Sequence, residues 1–262
     1  MMLKLVLVLA VFVAATYIQG RVQEKRIIHG TEAKPGAWPW VVSVQTRSQG
    51  KISNCGGTIL SKTWIMTAAH CFSLKPAASD ITVVAGAHNI KIHEDSQQTI
   101  TAKSYVVNPG YNPNSNVADI ALIELSNPLK FNERVEQARI QAKDEYPSLE
   151  KICFIAGWGQ TSVDPIVRPD TLQEAQLPIL KERFALEEFI FAGFMDGDTR
   201  PNACYGDSGS PLMCKTTYLK RWVVQGPISF VSPDCTFDTA VTPVAKYLSW
   251  VKQYVKDLKT QN

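Results

Sequence analysis

The stretch Gly206-Asp207-Ser208-Gly209-Ser210-Pro211 sets a serine in a glycine-bracketed turn directly after an acid. Glycine frees the backbone to bend sharply and to present its N–H groups to a ligand. A serine hydroxyl is a poor nucleophile at neutral pH and needs a base within hydrogen-bond reach. Two earlier segments offer the rest of such a set. Thr67-Ala68-Ala69-His70-Cys71 contains an imidazole, and Asp119-Ile120-Ala121-Leu122 contains a carboxylate able to orient it. The remaining histidines, His29, His88 and His93, stand in no such context and are read as ordinary core or surface groups.

Outward from these segments the chain is a series of short β-rich runs, at 40–45, 57–60, 64–67, 81–85, 104–107, 120–125, 153–156, 222–225 and 228–231. Turn residues such as Asn108-Pro109-Gly110 separate them, which suits an all-β sandwich or a pair of barrels. One helix is expected, at the end, where Trp250, Val251, Tyr254, Val255 and Leu258 share a stripe and Lys252, Lys256 and Lys259 lie elsewhere as a solvated face. The polar stretch 136–148 reads as a linker between two β-rich halves.

With 262 residues, 45% apolar and 19% charged, the chain has globular composition; collagenous, coiled-coil and low-complexity classes are excluded. The formal charge of +3 owes most to the N-terminus: without Lys4, Arg21, Lys25, Arg26 and Glu24, 23 basic and 23 acidic residues remain. A near-neutral chain points to no nucleic-acid or anionic-membrane partner. Lys4 and the apolar run 5–15 are too short to span a bilayer of about 30 Å and read as a secretory signal, with cleavage near Ala15 or near Gly20. Six cysteines in an exported chain suggest disulfides, and no Cys-x-x-Cys or His-x-x-x-His spacing suggests zinc. No Asn-x-Ser/Thr sequon occurs.

The three ordered segments, with Cys55-Gly56-Gly57 and Ala156-Gly157-Trp158-Gly159, resemble the trypsin-like (chymotrypsin-family) secreted serine endopeptidases from Ile27 to the terminal helix. The resemblance implies two antiparallel six-stranded β-barrels with the active site between them and a C-terminal helix. It implies a signal peptide at 1–20, an activation propeptide at 21–26 and a protease domain at 27–262, the halves meeting near 136–149. His70, Asp119 and Ser208 match the catalytic triad, and Gly206 and Ser208 match the oxyanion-hole donors. Cys55 pairs with Cys71, Cys153 with Cys214 and Cys204 with Cys235 by the same likeness. Cleavage after Arg26 is expected to free the Ile27 amino group to pair with Asp207; Gln23 argues against a furin-type activator and for a trypsin-like one.

Departures from the family pattern set the specificity expectations. Asn202 replaces the aspartate at the floor of a trypsin pocket, so Lys or Arg would enter without a counter-ion. Ser229-Phe230-Val231 matches the edge that pairs with substrate, and Val231 and Thr239 stand where wide-pocketed relatives carry glycine, as in elastase-like members. Ser210 replaces a usual glycine and threatens to crowd the nucleophile turn. Phe191 stands where one cysteine of a further common bridge would be, and the segment 180–191 is short. Ala87 and Gln97 occupy the calcium-ligand positions of the relatives that bind it, so no metal and no cofactor are expected, and Glu94 and Asp95 read as a solvated loop. The resemblance thus describes a secreted, extracellular, monomeric, zymogen-activated endopeptidase with an elastase-like preference for small apolar P1 residues. Its partners would be protein or peptide substrates, an activating trypsin-like protease and protein protease inhibitors, with no membrane or nucleic acid. Chymotrypsin-like specificity and a non-catalytic homologue acting as a binding protein are the alternatives.

Overall fold

The computed structural model describes residues 30–142, 147, 152–180, 188–194, 200–216 and 220–261. The expected signal (1–20) and propeptide (21–26), with Arg26 and Ile27, lie outside the described residues, as does 181–187 of the shortened segment. After a short strand β1 (Thr31–Glu32), strands β2 (Val41–Ser48), β3 (Lys51–Ile59), β4 (Trp64–Thr67), β5 (Ile81–Ala85), β6 (Gln98–Val107) and β7 (Ala121–Leu125) close an antiparallel barrel in the order β2-β3-β4-β7-β6-β5. The second half contains β8 (Ile152–Gly157), the hairpin β9 (Ser162–Val163) and β10 (Ile166–Val167), β11 (Gln173–Pro178), β12 (Ile190–Gly193), β13 (Pro211–Lys215), β14 (Trp222–Val231) and β15 (Asp238–Val241). Their sheet runs β1-β11-β8-β13-β14-β15-β12. Its far strand returns to β11, because Ile179 bridges Ala192 and the Leu180 N–H donates to the Phe191 carbonyl at 2.9 Å. Six of these strands therefore curl into a second barrel, and the expected two-barrel fold is present.

The helix α1 (Leu248–Tyr254) is shorter than the apolar stripe predicts. Beyond it the chain extends, because the Gln261 N–H and the Lys259 carbonyl take up the Ile140 backbone. The same pairing pins the segment read as a polar linker. Ala138 and Ile140 are buried in the central core, since alternation along an extended segment turns every second residue inward.

Alternation also explains how the barrels join. In β7, Ala121, Ile123 and Leu125 fill the first barrel while Leu122 points outward. In β4, Ile65 points in and Met66 out, and in β13 Leu212 and Cys214 fill the second barrel while Met213 points out. The outward residues Met66, Leu122 and Met213 share a central cluster with Leu60, Ile120, Val224 and the helix residues Trp250 and Val251. Trp40 Nε1 donates to Met213 Sδ across this seam at 2.9 Å. Where they meet the seam these strands are buried and apolar on both faces.

The two halves approach closely at Gly56, whose N–H donates to the Ser208 carbonyl at 2.7 Å. A Cβ on Gly56 would lie 1.9 Å from Ser210 Oγ and 2.8 Å from Ser210 Cα, and one on Gly157 would lie 2.9 Å from the same Oγ. The two glycines make the room that the Ser210 side chain needs, so it packs without displacing the turn; its buried hydroxyl has no hydrogen-bond partner. Gly56→Ala is therefore expected to lower stability by about 1–3 kcal/mol. Adding Ser210→Gly should restore only part of the loss, because the new methyl would still press on the backbone of residue 210. Thermal unfolding of the single and double variants checks this; an unchanged midpoint in Gly56→Ala would show that the seam has slack.

Candidate active site

Each site residue stands at the end of one of these doubly buried strands. His70 lies in the 3₁₀ turn Ala69–Phe72 just after β4, Asp119 just before β7, and Ser208 just before β13. Asp119 is fully buried and accepts three hydrogen bonds, from the His70 backbone N–H (2.9 Å), from His70 Nδ1 (2.8 Å) and from the Ser229 hydroxyl (2.5 Å). A carboxylate only accepts, so the proton on the Asp119 side of the imidazole belongs to Nδ1, and in the neutral ring this leaves Nε2 as the acceptor. The Ser229 side chain, on the strand whose edge is expected to meet substrate, reaches Asp119. A serine inside the apolar run Ile228 to Val231 was the sequence signal for such a buried partner.

The nucleophile turn is pressed against the segment that leads to His70. Gly209 has φ +79°, and a Cβ there would lie 2.2 Å from Thr67 Oγ1 and 2.5 Å from the Gly56 carbonyl oxygen. Gly206 has φ +102°, a conformation that side-chain-bearing residues rarely adopt. Among the described residues the N–H groups of Gly206 and Ser208 have no acceptor. A hydroxyl beside two unused N–H donors, with an imidazole held by a buried carboxylate on the facing segment, is suited to acyl transfer.

Asp207 is buried beneath this turn and accepts from the N–H groups of Gly159 (2.9 Å) and Cys204 (3.1 Å). Burial pushes its carboxyl up to about 6, against the pull of those two bonds. No cationic side chain of the described residues pairs with it.

The pocket residues form one connected floor. Thr239 Oγ1 donates to Asn202 Oδ1 at 2.6 Å, and Asn202 Nδ2 donates to the carbonyls of Phe237 and Cys235. Asn202 and Thr239 are buried. Val231 and Thr239 are register partners across β14 and β15, so their side chains share one face of the ladder. Tyr205, which carried no signal in the sequence, donates its hydroxyl to the Pro233 carbonyl at 2.9 Å and so links the two loops joined by the Cys204–Cys235 disulfide. The other bridges are Cys55–Cys71 and Cys153–Cys214, the pairings the resemblance implies. Where a further bridge is missing, Phe191 packs edge-on against Phe189 and Phe230.

Glu94 is not the solvated loop residue expected. Its carboxylate accepts from the N–H groups of His88 (2.6 Å) and Asn89 (3.4 Å) and lies 3.5 Å from Arg134, so a side chain of the chain itself closes this loop. Among the described residues the only grouping of metal-binding side chains is Cys55, His70 and Cys71, and the Cys55–Cys71 disulfide removes both thiols.

Comparison with known proteins agrees with this geometry. The sequence model of the family described as Trypsin matches residues 27–251. Mast cell protease 3 of Ovis aries is 32% identical over 244 residues, covering 90% of this chain and 92% of its own. Chymotrypsin-like elastase family member 1 is also 32% identical over 244 residues in Felis catus and in Homo sapiens, covering 88% of this chain and 90% and 92% of theirs. With its fold, its site and its full-length relatives in agreement, the chain belongs to the trypsin family and is a serine endopeptidase.

Proposed function

We propose that this endopeptidase is secreted as a zymogen, uses His70, Asp119 and Ser208 as its catalytic triad, and cleaves after small apolar residues. The observation that carries the triad is the buried Asp119 carboxylate, which accepts from both the backbone and the ring of His70. In this reading His70 Nε2 takes the Ser208 proton as Oγ attacks the scissile carbonyl carbon, and the oxyanion accepts from the Gly206 and Ser208 N–H groups. His70 then gives the proton to the leaving amine, and the C–N bond breaks. Water repeats the sequence to release the acid and regenerate Ser208. A monomer acting on protein or peptide substrates, opposed by protein inhibitors, fits this scheme.

Secretion is supported by the N-terminal apolar run and by three disulfides, which persist in oxidising compartments. Zymogen activation is supported by Lys25-Arg26-Ile27 and by Asp207, a buried carboxylate for which the Ile27 ammonium would be the counter-ion. The pocket reading is supported by the neutral floor of Asn202 and Thr239 and by the Val231–Thr239 pairing. Two relatives named as elastases are in line with it.

Three outcomes test the proposal. Ser208→Ala, correctly activated, should lose all burst labelling by an active-site serine reagent; labelling equal to the parent would remove Ser208 from the mechanism, and an unlabelled, inactive parent would favour a binding protein.

Latency is tested on precursors. Arg26→Gln should stay inactive after trypsin treatment, and Asp207→Asn should be cleaved at Ile27 yet remain inactive. The Asp207 carboxyl titrates higher folded than the ordinary 3.8, so the folded state holds a proton that the unfolded chain has released. Precursor stability should therefore fall by about 3 kcal/mol as pH rises from about 4 to about 6 and stay level above that. The Asp207→Asn precursor should lose that fall. Activity in uncleaved Arg26→Gln, or in cleaved Asp207→Asn, would overturn the switch.

For the pocket, kcat/KM with Ala or Val at P1 should exceed that with Phe, Lys or Arg by about tenfold or more. Val231→Gly, which leaves the Thr239–Asn202 bond in place, should raise Phe relative to Ala. A parent that prefers Phe would establish chymotrypsin-like specificity instead.

A further inference from the structure

We infer that the enzyme selects protein substrates with an acidic residue on the leaving-group side of the scissile bond, through Lys91 and Arg168. The inference rests on the protease reading above and narrows its substrate class. A cleft of about 410 Å³ opens at Gly206 and Cys55, passes between Ile52 of the first barrel and Trp158 of the second, and reaches Lys91 and Arg168. It includes none of Asn202, Val231 or Thr239. A substrate whose acyl half lies along β14, with its scissile carbonyl at Gly206, sends its leaving half away from that strand, toward this cleft. One wall suits an extended peptide: β3 pairs with β4 only at Thr58 and Ile59, so the outer edge of its exposed residues Lys51 to Asn54 is open to strand addition.

The charges at the end of the cleft are held in place by backbone. Asn89 bridges Thr171 antiparallel, with the Leu172 N–H on the His88 carbonyl (2.8 Å) and the Ile90 N–H on the Asp170 carbonyl (2.9 Å). Continuing that register sets Lys91 opposite Pro169, and Lys91 and Arg168 both line the cleft. The Lys91 N–H is tied to Asn89 Oδ1 at 2.8 Å. Among the described residues no carboxylate lies within ion-pair distance of either cation. Glu94 faces Arg134 and the loop backbone, and Glu32 faces His88 at 2.9 Å. Asp170, exposed in the same lining, offsets only one of the two charges. Two exposed cations on the lining of one cleft give it a positive charge that a glutamate or aspartate of the departing peptide complements.

The test uses activated enzyme, counted by active-site titration, and peptides identical on the acyl side with Glu, Gln or Lys placed in turn at the first three leaving-group positions. At one position Glu should exceed Gln in kcat/KM by about three- to tenfold, the modest size expected for exposed charges, with Lys below Gln and the difference shrinking in about 0.5 M salt. Joint Lys91→Gln and Arg168→Gln substitution should abolish the difference, and joint Lys91→Glu and Arg168→Glu substitution should reverse it. Ratios between peptides do not depend on how much variant folds. Equal rates for Glu, Gln and Lys at all three positions, or a Glu preference that survives both double variants, overturns the inference. Acylation of Ser208 by the active-site reagent separates the two readings: normal acylation with no Glu preference rejects only the acidic selection, whereas no acylation rejects the protease reading and this inference with it.

Discussion

The packing of Met66, Leu122 and Met213 between the two barrels is the constraint from which the rest of the molecule follows. Each belongs to a strand whose alternate residues already fill one barrel, so β4, β7 and β13 must be apolar on both faces. Burial of large side chains contributes about 1.5–3 kcal/mol each, which fixes these strands firmly relative to one another. His70, Asp119 and Ser208 sit two or three residues beyond their ends. The precision that acyl transfer demands is thus inherited from a hydrophobic seam rather than supplied by loops alone.

At the seam's polar end, buried groups are held by hydrogen bonds that leave little freedom. Asp119 has three donors, two of them on one histidine, so the ring cannot turn without breaking a charge-assisted bond. Asp207 is held differently, by two backbone N–H groups and no cation of the described residues, and burial raises its carboxyl in spite of those two bonds. One buried carboxylate is therefore fully provided for by the fold, and the other is left dependent on a charge from elsewhere. In the proposed zymogen scheme, that contrast would separate catalysis from its activation.

In the proposed scheme the pocket and the leaving-group cleft would divide the substrate between opposite kinds of surface. On the acyl side, Asn202 and Thr239 spend their polar atoms on each other and on backbone carbonyls, leaving a neutral floor. On the other side, Lys91 and Arg168 are exposed and face no carboxylate of the described residues at ion-pair distance, on segments that hydrogen-bond to each other. Neutral burial discriminates by shape, whereas exposed cations discriminate by charge and respond to salt.

The all-β class was legible from the turn residues that punctuate the β-rich runs, and the candidate triad from the likeness of the ordered His70, Asp119 and Ser208 segments to a known family. Strand β11 was not legible: Gln173, Glu174 and Gln176 make it look polar, and only its register against β8 turns Ala175 and Leu177 into the barrel. The helix was overestimated because its apolar stripe continues to Leu258, while a hydrogen bond to Ile140, distant in sequence, draws the chain out after Tyr254. Ser229 as the third donor to Asp119, the room for Ser210 between Gly56 and Gly157, and the placing of Lys91 and Arg168 on one cleft all depend on residues far apart along the chain. Local sequence determined which groups were available for chemistry. Tertiary structure decided which of them meet, because burial and hydrogen-bond satisfaction act on neighbours in space whatever their separation along the chain.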